Sequence, residues 1–473
     1  MSQLVVLGGG ACGMSAALEA LSHRARVTVL EREPRVGGLC GTQERDGFRF
    51  DFGGHRFLTR SSEIHALVRD LVGDDLLLRQ RSSVILNGGR RYRYPLELDD
   101  VMRQFGLRRG GRAMGSYLAE RGRTWLRAEP ETTFRDWVTH RFGADLYATF
   151  FGPYTAKLWG IAPETISADW AAQRISLPSL TDVALRLCGI HRGQPRTYAR
   201  RYLYPRLGIG EIFERCAERI ADRGGSVQTG AVVMGVDRTG TRVRAVRYRQ
   251  NGRDHELPCD AVVSTLSLPA LAQMLGRVPQ SVDRAARRLR FRGIRLLNLL
   301  LSGPPVSQHT WMYVSEPQYL AARIQEPCHR SPEMVPLGHT SLMLEIPCDV
   351  GDPIWSAADD VIYERCLDDL RKLGLPPLRD RTLGYFSSYV REGYPIYHLG
   401  YQADRADVLS HISTFENVLS CGRQGAFRYI FMDTAMEMGR LAARSLLTGR
   451  PERRDVIEVD NERAYREAQA LTA

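Results

Sequence analysis

The beginning of the chain constrains it most. Leu4-Val5-Val6-Leu7 is an apolar run that enters Gly8-Gly9-Gly10-Ala11-Cys12-Gly13 directly, and a helix-compatible segment, Met14 to Leu21, follows. Strand, glycine-rich turn and helix form the order of a dinucleotide-binding unit, and Gly8, Gly10 and Gly13 match its G-x-G-x-x-G spacing. Gly8 permits the tight turn, Gly10 lets the backbone approach a pyrophosphate, and Gly13 lets the helix pack on the strand. Phosphates would then lie against the N–H groups around Ala11 and Cys12 at the helix N-terminus. The pattern alone also fits an ordinary turn. A second strand, Arg26 to Leu30, adds weight because it ends in Glu31, at the distance where a ribose hydroxyl is bound, with Arg32 beside it.

With 473 residues the expectation is two or three domains, and 43% hydrophobic with 25% charged residues is an ordinary globular composition. No apolar run has the length of a membrane-spanning helix. The N-terminus does not resemble a signal peptide, so the expected location is cytoplasmic. The formal charge of +11 would suit nucleic acid or an acidic membrane face, but the cations are spread along the chain and nearly all are Arg, the only lysines being Lys157 and Lys372. That distribution reads as coding bias, and no nucleic-acid partner is expected. One cluster departs from it: Arg192, Arg196, Arg200, Arg201 and Arg206 suggest either a solvated loop or a lid over an anionic substrate. The nine cysteines show no metal-ligand or C-x-x-C spacing, which reads as reduced structural thiols. No metal is expected.

Further along, Ile64 to Val72 has helical periodicity, and Ser82 to Asn87 with Arg91 to Tyr94 reads as a hairpin around Gly88-Gly89. From about Leu98 to Leu187 the signals are helical. Strand signals return at Val232-Val233-Met234 and recur at Val243 to Tyr248, Cys259 to Thr265, Leu296 to Leu301, Ser341 to Ile346 and Thr382 to Tyr389. The strand at Asn417 to Cys421, its loop and the helix Thr434 to Leu447 make a candidate second wall of the cofactor site. The fold class expected is α/β: a discontinuous Rossmann-like nucleotide-binding domain, an inserted helical domain and a twisted mixed or antiparallel sheet domain. The expected boundaries are 1–95, 196–240 and 411–473 for the nucleotide domain, 96–195 for the helical substrate or lid domain, and 241–410 for the sheet domain.

Glu31-Arg32-Glu33-Pro34-Arg35-Val36-Gly37-Gly38-Leu39 resembles the second glycine motif of the two-dinucleotide-binding-domain flavoproteins, which points to FAD. Three further stretches resemble the UDP-galactopyranose mutase family, within the amine oxidase and protoporphyrinogen oxidase group. They are Gly53-Gly54-His55-Arg56-Phe57; Phe150 to Gly160, followed by Arg174; and Gly422 to Asp433. The resemblance implies that Gly54 and His55 floor the flavin, that Trp159 lines a sugar pocket, and that Arg174 and Arg292 hold a diphosphate assisted by Tyr394 and Tyr429. Val233, Gly422, Arg423, Tyr429 and Met432 join the cofactor contacts. Two guanidinium forks suit a diphosphate because each can bind it bidentately. The activity implied is a redox-neutral pyranose/furanose isomerisation of a nucleotide-diphosphate sugar by reduced flavin, with a reductant such as NAD(P)H and a homodimer as possible partners. The alternative is an FAD-dependent oxidoreductase acting on a sugar, amine or porphyrinogen-type substrate.

Overall fold

The computed structural model describes residues 2–94, 96, 98–126, 130–174, 201–449 and 456–459. At its centre is a five-stranded parallel sheet in the order Val418–Ser420, Ala261–Ser264, Gln3–Leu7, Arg26–Leu30, Ser226–Gln228. Leu4 to Leu7 are fully buried, as expected for a parallel strand covered on both faces. Helix Ala11–Ser22 covers one face and meets helix Met432–Thr448 so closely that a Cβ on Gly439 would lie 2.0 Å from the Cys12 carbonyl oxygen. Helix Glu211–Asp222 adds Ile212, Phe213, Cys216 and Ile220, a stripe at helical spacing. The antiparallel strands Val232–Thr239, Arg242–Gln250 and Arg253–Pro258 form a separate small sheet.

The second large sheet has seven strands in the order Thr382–Pro395, Phe291–Ser302, His339–Cys348, Arg323–Gln325, Trp311–Val314, Ser83–Asn87, Arg90–Arg93. Alternation along Phe291–Ser302 divides the core between its two faces. Leu297, Leu299 and Leu301 pack with Ile362, Cys366 and Leu370 of helix Asp359–Lys372, whereas Leu296 and Leu300 join the core shared with the parallel sheet. The α/β class and its two-sheet plan are as the sequence predicts.

The helical portion begins with Leu98–Leu126, interrupted at Gly106 (φ 70°, ψ 178°), and continues with Phe134–Phe142, Gly152–Trp159 and Ala168–Arg174. Thr133 and Asp136 form a capping box at the start of Phe134–Phe142.

One expectation changes. Part of the arginine-rich segment is a strand, Arg201–Pro205, paired antiparallel with Leu76–Gln80, and Arg206 is fastened to Asp75 and Glu333 at 2.8 Å each. Arg192, Arg196 and Arg200 lie outside the described residues. The hairpin Ser83–Asn87/Arg90–Arg93 forms as expected, with Arg90–Arg93 at the sheet edge and Ser83–Asn87 paired parallel with Trp311–Val314 in the seven-stranded sheet.

Candidate active site

The glycine motifs converge because several of their glycines lack a side chain where a neighbouring group must pass. Gly8 has φ +101°, and a Cβ there would sit 2.3 Å from Thr265 Oγ1. Gly13 faces the Gly8 carbonyl, which a Cβ would meet at 1.9 Å; it supports the turn and does not line the cavity. Gly37 donates its N–H to Gly9 O at 2.8 Å, and Gly38 lies against Gly10. This locks the second glycine motif onto the first. The Glu31 carboxylate accepts N–H bonds from Gly9 (2.7 Å) and Glu33 (2.8 Å), while burial pushes its pKa up.

A cavity of about 1160 Å³ opens over this turn. Its nucleotide end is lined by Gly8, Gly10, Ala11, Cys12, Glu31, Arg32, Gly37, Gly38, Leu39 and Val233, and it continues past Gly54, His55, Gly422, Arg423 and Met432 to Tyr394 and Tyr429. It exceeds the usual range for one small ligand, leaving room for a dinucleotide and a second molecule. A glycine turn without space for a Cβ at Gly8 or Gly13, an adjacent buried carboxylate and a helix N-terminus fit a dinucleotide.

In the middle of the cavity the backbone is again forced close to its neighbours. A Cβ on Gly54 would lie 2.6 Å from Trp311 Nε1 and 3.2 Å from Arg323 Cζ. His55 is held neutral: burial, then the charges of Arg423, Arg330 and Arg323, lower its pKa to about 3. Its Nδ1 is buried without a hydrogen-bond partner. Arg423 donates to Ile430 O at 2.6 Å and lies 4.6 Å from the centre of the Tyr429 ring.

The far end is aromatic. Tyr394 and Tyr429 stack with centroids 5.8 Å apart, Trp159 meets Tyr394 edge-on at 5.7 Å, and Trp170 stands 4.5 Å from Trp159 and 5.1 Å from Tyr429. Only the two tyrosines of this group line the cavity. Trp159 is 2% exposed behind them, with Nε1 unpartnered. Arg292 also stands behind the lining: it pairs with Asp349 at 2.6 Å, and its guanidinium occupies the space a Gly160 side chain would need. Arg174 is the last residue of helix Ala168–Arg174, and its side chain lies outside the described residues. Of the two guanidinium groups expected at this end, Arg292 does not line the cavity and the side chain of Arg174 lies outside the described residues, whereas Arg423, expected as a cofactor contact, does line it.

The sequence reading did not anticipate the wall opposite. Arg323 lies across the strand register from Glu345, and Arg323 Nε donates to Glu345 Oε2 at 2.9 Å. Gln325 also donates to Glu345, and Trp311 Nε1 donates to Gln325 Oε1 at 3.1 Å. Arg323, Glu345, Trp311, Tyr313, Tyr94 and Arg81 all line the cavity. The available signal was Glu345 itself, a carboxylate inside the apolar run Leu342-Met343-Leu344-Glu345-Ile346. A charge buried in a strand needs a partner.

The fold and cavity define a dinucleotide-binding enzyme whose cavity extends beyond the glycine turn. Residues 11–447 match the family described as flavin containing amine oxidoreductase, so the chain belongs to that family, and it is an FAD-dependent enzyme. Among curated proteins it is 27% identical to phytoene dehydrogenase of Streptomyces griseus, over 59% of this chain and 57% of that protein. Coproporphyrinogen III oxidase of Mycobacterium bovis is 23% identical over 60% of this chain and 63% of that protein. The chain thus spans about six-tenths of the length of these relatives. dTDP-fucopyranose mutase of Escherichia coli is 23% identical over 36% of this chain and 44% of that protein. The crystal structure of reduced UDP-galactopyranose mutase shares the fold, with a TM-score of 0.83, 20% identity, and coverage of 97% of this chain and 98% of that one. Among the described residues no helix is long and apolar enough to cross a membrane.

Proposed function

We propose that this enzyme acts on a nucleotide-diphosphate sugar, most specifically as a redox-neutral pyranose/furanose mutase that works with reduced flavin. The observation that carries the reading is the stacked Tyr394–Tyr429 pair with Arg423 over Tyr429, at the end of the cavity beyond His55. Two phenol hydroxyls and a guanidinium together suit a diphosphate, and the flat rings suit a sugar face. The likeness to dTDP-fucopyranose mutase supports the same reading. When bound and reduced, FAD supplies the electron-rich centre of the reaction. The chain's own residues bind and orient. Tyr394 stays protonated because burial raises its pKa, so its hydroxyl is available to donate to a phosphate oxygen. His55 stays neutral and brings no charge to the middle of the cavity. Arg423 supplies a fixed positive charge for a leaving diphosphate.

Arg292 is committed to Asp349, so using it as a second diphosphate arginine requires that ion pair to exchange for substrate. This favours keeping the second reading, an oxidoreductase in the manner of the dehydrogenase and oxidase relatives. One experiment separates the two. Dithionite-reduced protein incubated with a panel of nucleotide sugars should give an isomer by product chromatography, and none when the flavin is oxidised. Stoichiometric reduction of oxidised flavin by a substrate, with no isomer formed, would refute the mutase reading.

A further inference from the structure

The helical portion carries a surface that the cavity does not use. After the break at Gly106 the helix runs on through residues 107–126. Its inward face is Gly110 and Ala113, and Ala113 joins a core with Phe105, Leu146 and Phe150. On the outward face, Leu107 is 97% exposed, Leu118 61% and Trp125 87%. These three are eleven and eighteen residues apart, about three and five turns, so they fall on one line roughly 27 Å long. A Cβ on Gly111, Gly115 or Gly122 would meet nothing within 4 Å, so no described part of the chain covers this face.

Charge indicates what does. The helix carries Arg108, Arg109, Arg112, Arg121 and Arg123 against one acid, Glu120, a net +4 on residues 107–126. At 100° per residue, Arg108 and Arg121 flank the apolar line on its two sides. A Leu and Trp line bordered by arginines, on a helix too polar to span a bilayer, is the pattern of a helix lying in the interface plane.

We propose that helix 107–126 docks the enzyme on an anionic lipid surface, with Leu107, Leu118 and Trp125 entering the headgroup layer and Arg108 and Arg121 meeting lipid phosphates. The inference is independent of the reaction assigned to the cavity.

The test is flotation of the full-length, FAD-loaded protein with vesicles of phosphatidylcholine alone and of phosphatidylcholine mixed with phosphatidylglycerol. Binding should be about tenfold or more stronger to the mixed vesicles and should be lost at high salt. Trp125 emission, taken as the difference from Trp125→Phe, should shift to the blue on binding. Leu107→Ser with Trp125→Ser should weaken binding by about tenfold or more, and Arg108→Gln with Arg121→Gln should remove the preference for phosphatidylglycerol. Flavin content and melting temperature report whether each variant is folded, and the wild-type comparison of vesicles and salt stands without any variant. Absence of vesicle binding by the wild type, equal binding to both vesicles, or binding unmoved by either pair of substitutions would overturn the proposal. So would a dimer that the Leu107/Trp125 substitutions convert to monomer by light scattering, because that assigns the face to a second copy.

Discussion

His55 shows how burial sets chemistry at one residue. In the unfolded chain it titrates near 6.5, in the fold only near about 3, so between those values the unfolded state holds a proton that the native state does not. Stability therefore falls as pH drops through that window. His55→Gln should make urea-unfolding free energy less steep between about pH 6.5 and about pH 3, by up to one proton; an unchanged slope would refute the assignment. Gly8 makes a backbone argument of the same kind. Gly8→Ala combines a positive φ with a 2.3 Å approach to Thr265 Oγ1 and should cost about 1–3 kcal/mol in denaturant unfolding. Adding Thr265→Ala relieves the contact but not the φ, so it should recover only part of the loss. The glycines at 8, 37 and 38 were legible because few residue types can occupy such positions. Trp159 and Arg292 were expected from the resemblance to line the cavity, but nothing local says that Tyr394 stands between Trp159 and the cavity, or that Asp349 pairs with Arg292.

At the scale of elements, Lys157 ties the helix Gly152–Trp159 to strand Trp311–Val314 and the loop that follows it. Lys157 Nζ donates to the carbonyls of Val314 (3.1 Å), Glu316 (3.0 Å) and Ala321 (2.6 Å). Lys157→Met removes the donor from all three and should destabilise by about 2–4 kcal/mol, with the aromatic circular dichroism around Trp159 changing as well. The Arg323–Glu345 pair joins two neighbouring strands of that sheet. Arg323→Met leaves a buried carboxylate uncompensated and should cost about 3–5 kcal/mol, whereas Arg323→Met with Glu345→Leu should recover most of it. Equal losses in the single and double variants would refute the coupling. The long elements were readable from periodicity, and Arg26–Leu30 has the limits its sequence suggests. Trp311–Val314 and Arg323–Gln325 were not, because strands of four and three residues carry too few alternations to register, and their pairing is supplied by distant segments.

The whole molecule joins the ends of its chain at the cofactor. The parallel sheet draws strands from residues 3–7, 26–30, 226–228, 261–264 and 418–420, and the cavity is lined from Gly8 to Ala435. FAD should therefore stabilise the assembly as a unit. At a free concentration about a hundredfold above Kd the gain is about 2.7 kcal/mol, measured as a rise in melting temperature shared by far-ultraviolet and flavin signals; a rise confined to one probe would refute a single cooperative unit. The sequence by itself determined the cofactor turn, the α/β class and most long elements, because glycine spacing and hydrophobic period are local constraints that sterics and burial impose on neighbouring residues. Only the tertiary structure decided that Arg323 and Glu345 wall the cavity, that Trp159 and Arg292 stand behind it, and that the Leu107–Trp125 line faces outward. Those facts depend on which surfaces meet across hundreds of residues, and no local preference encodes that.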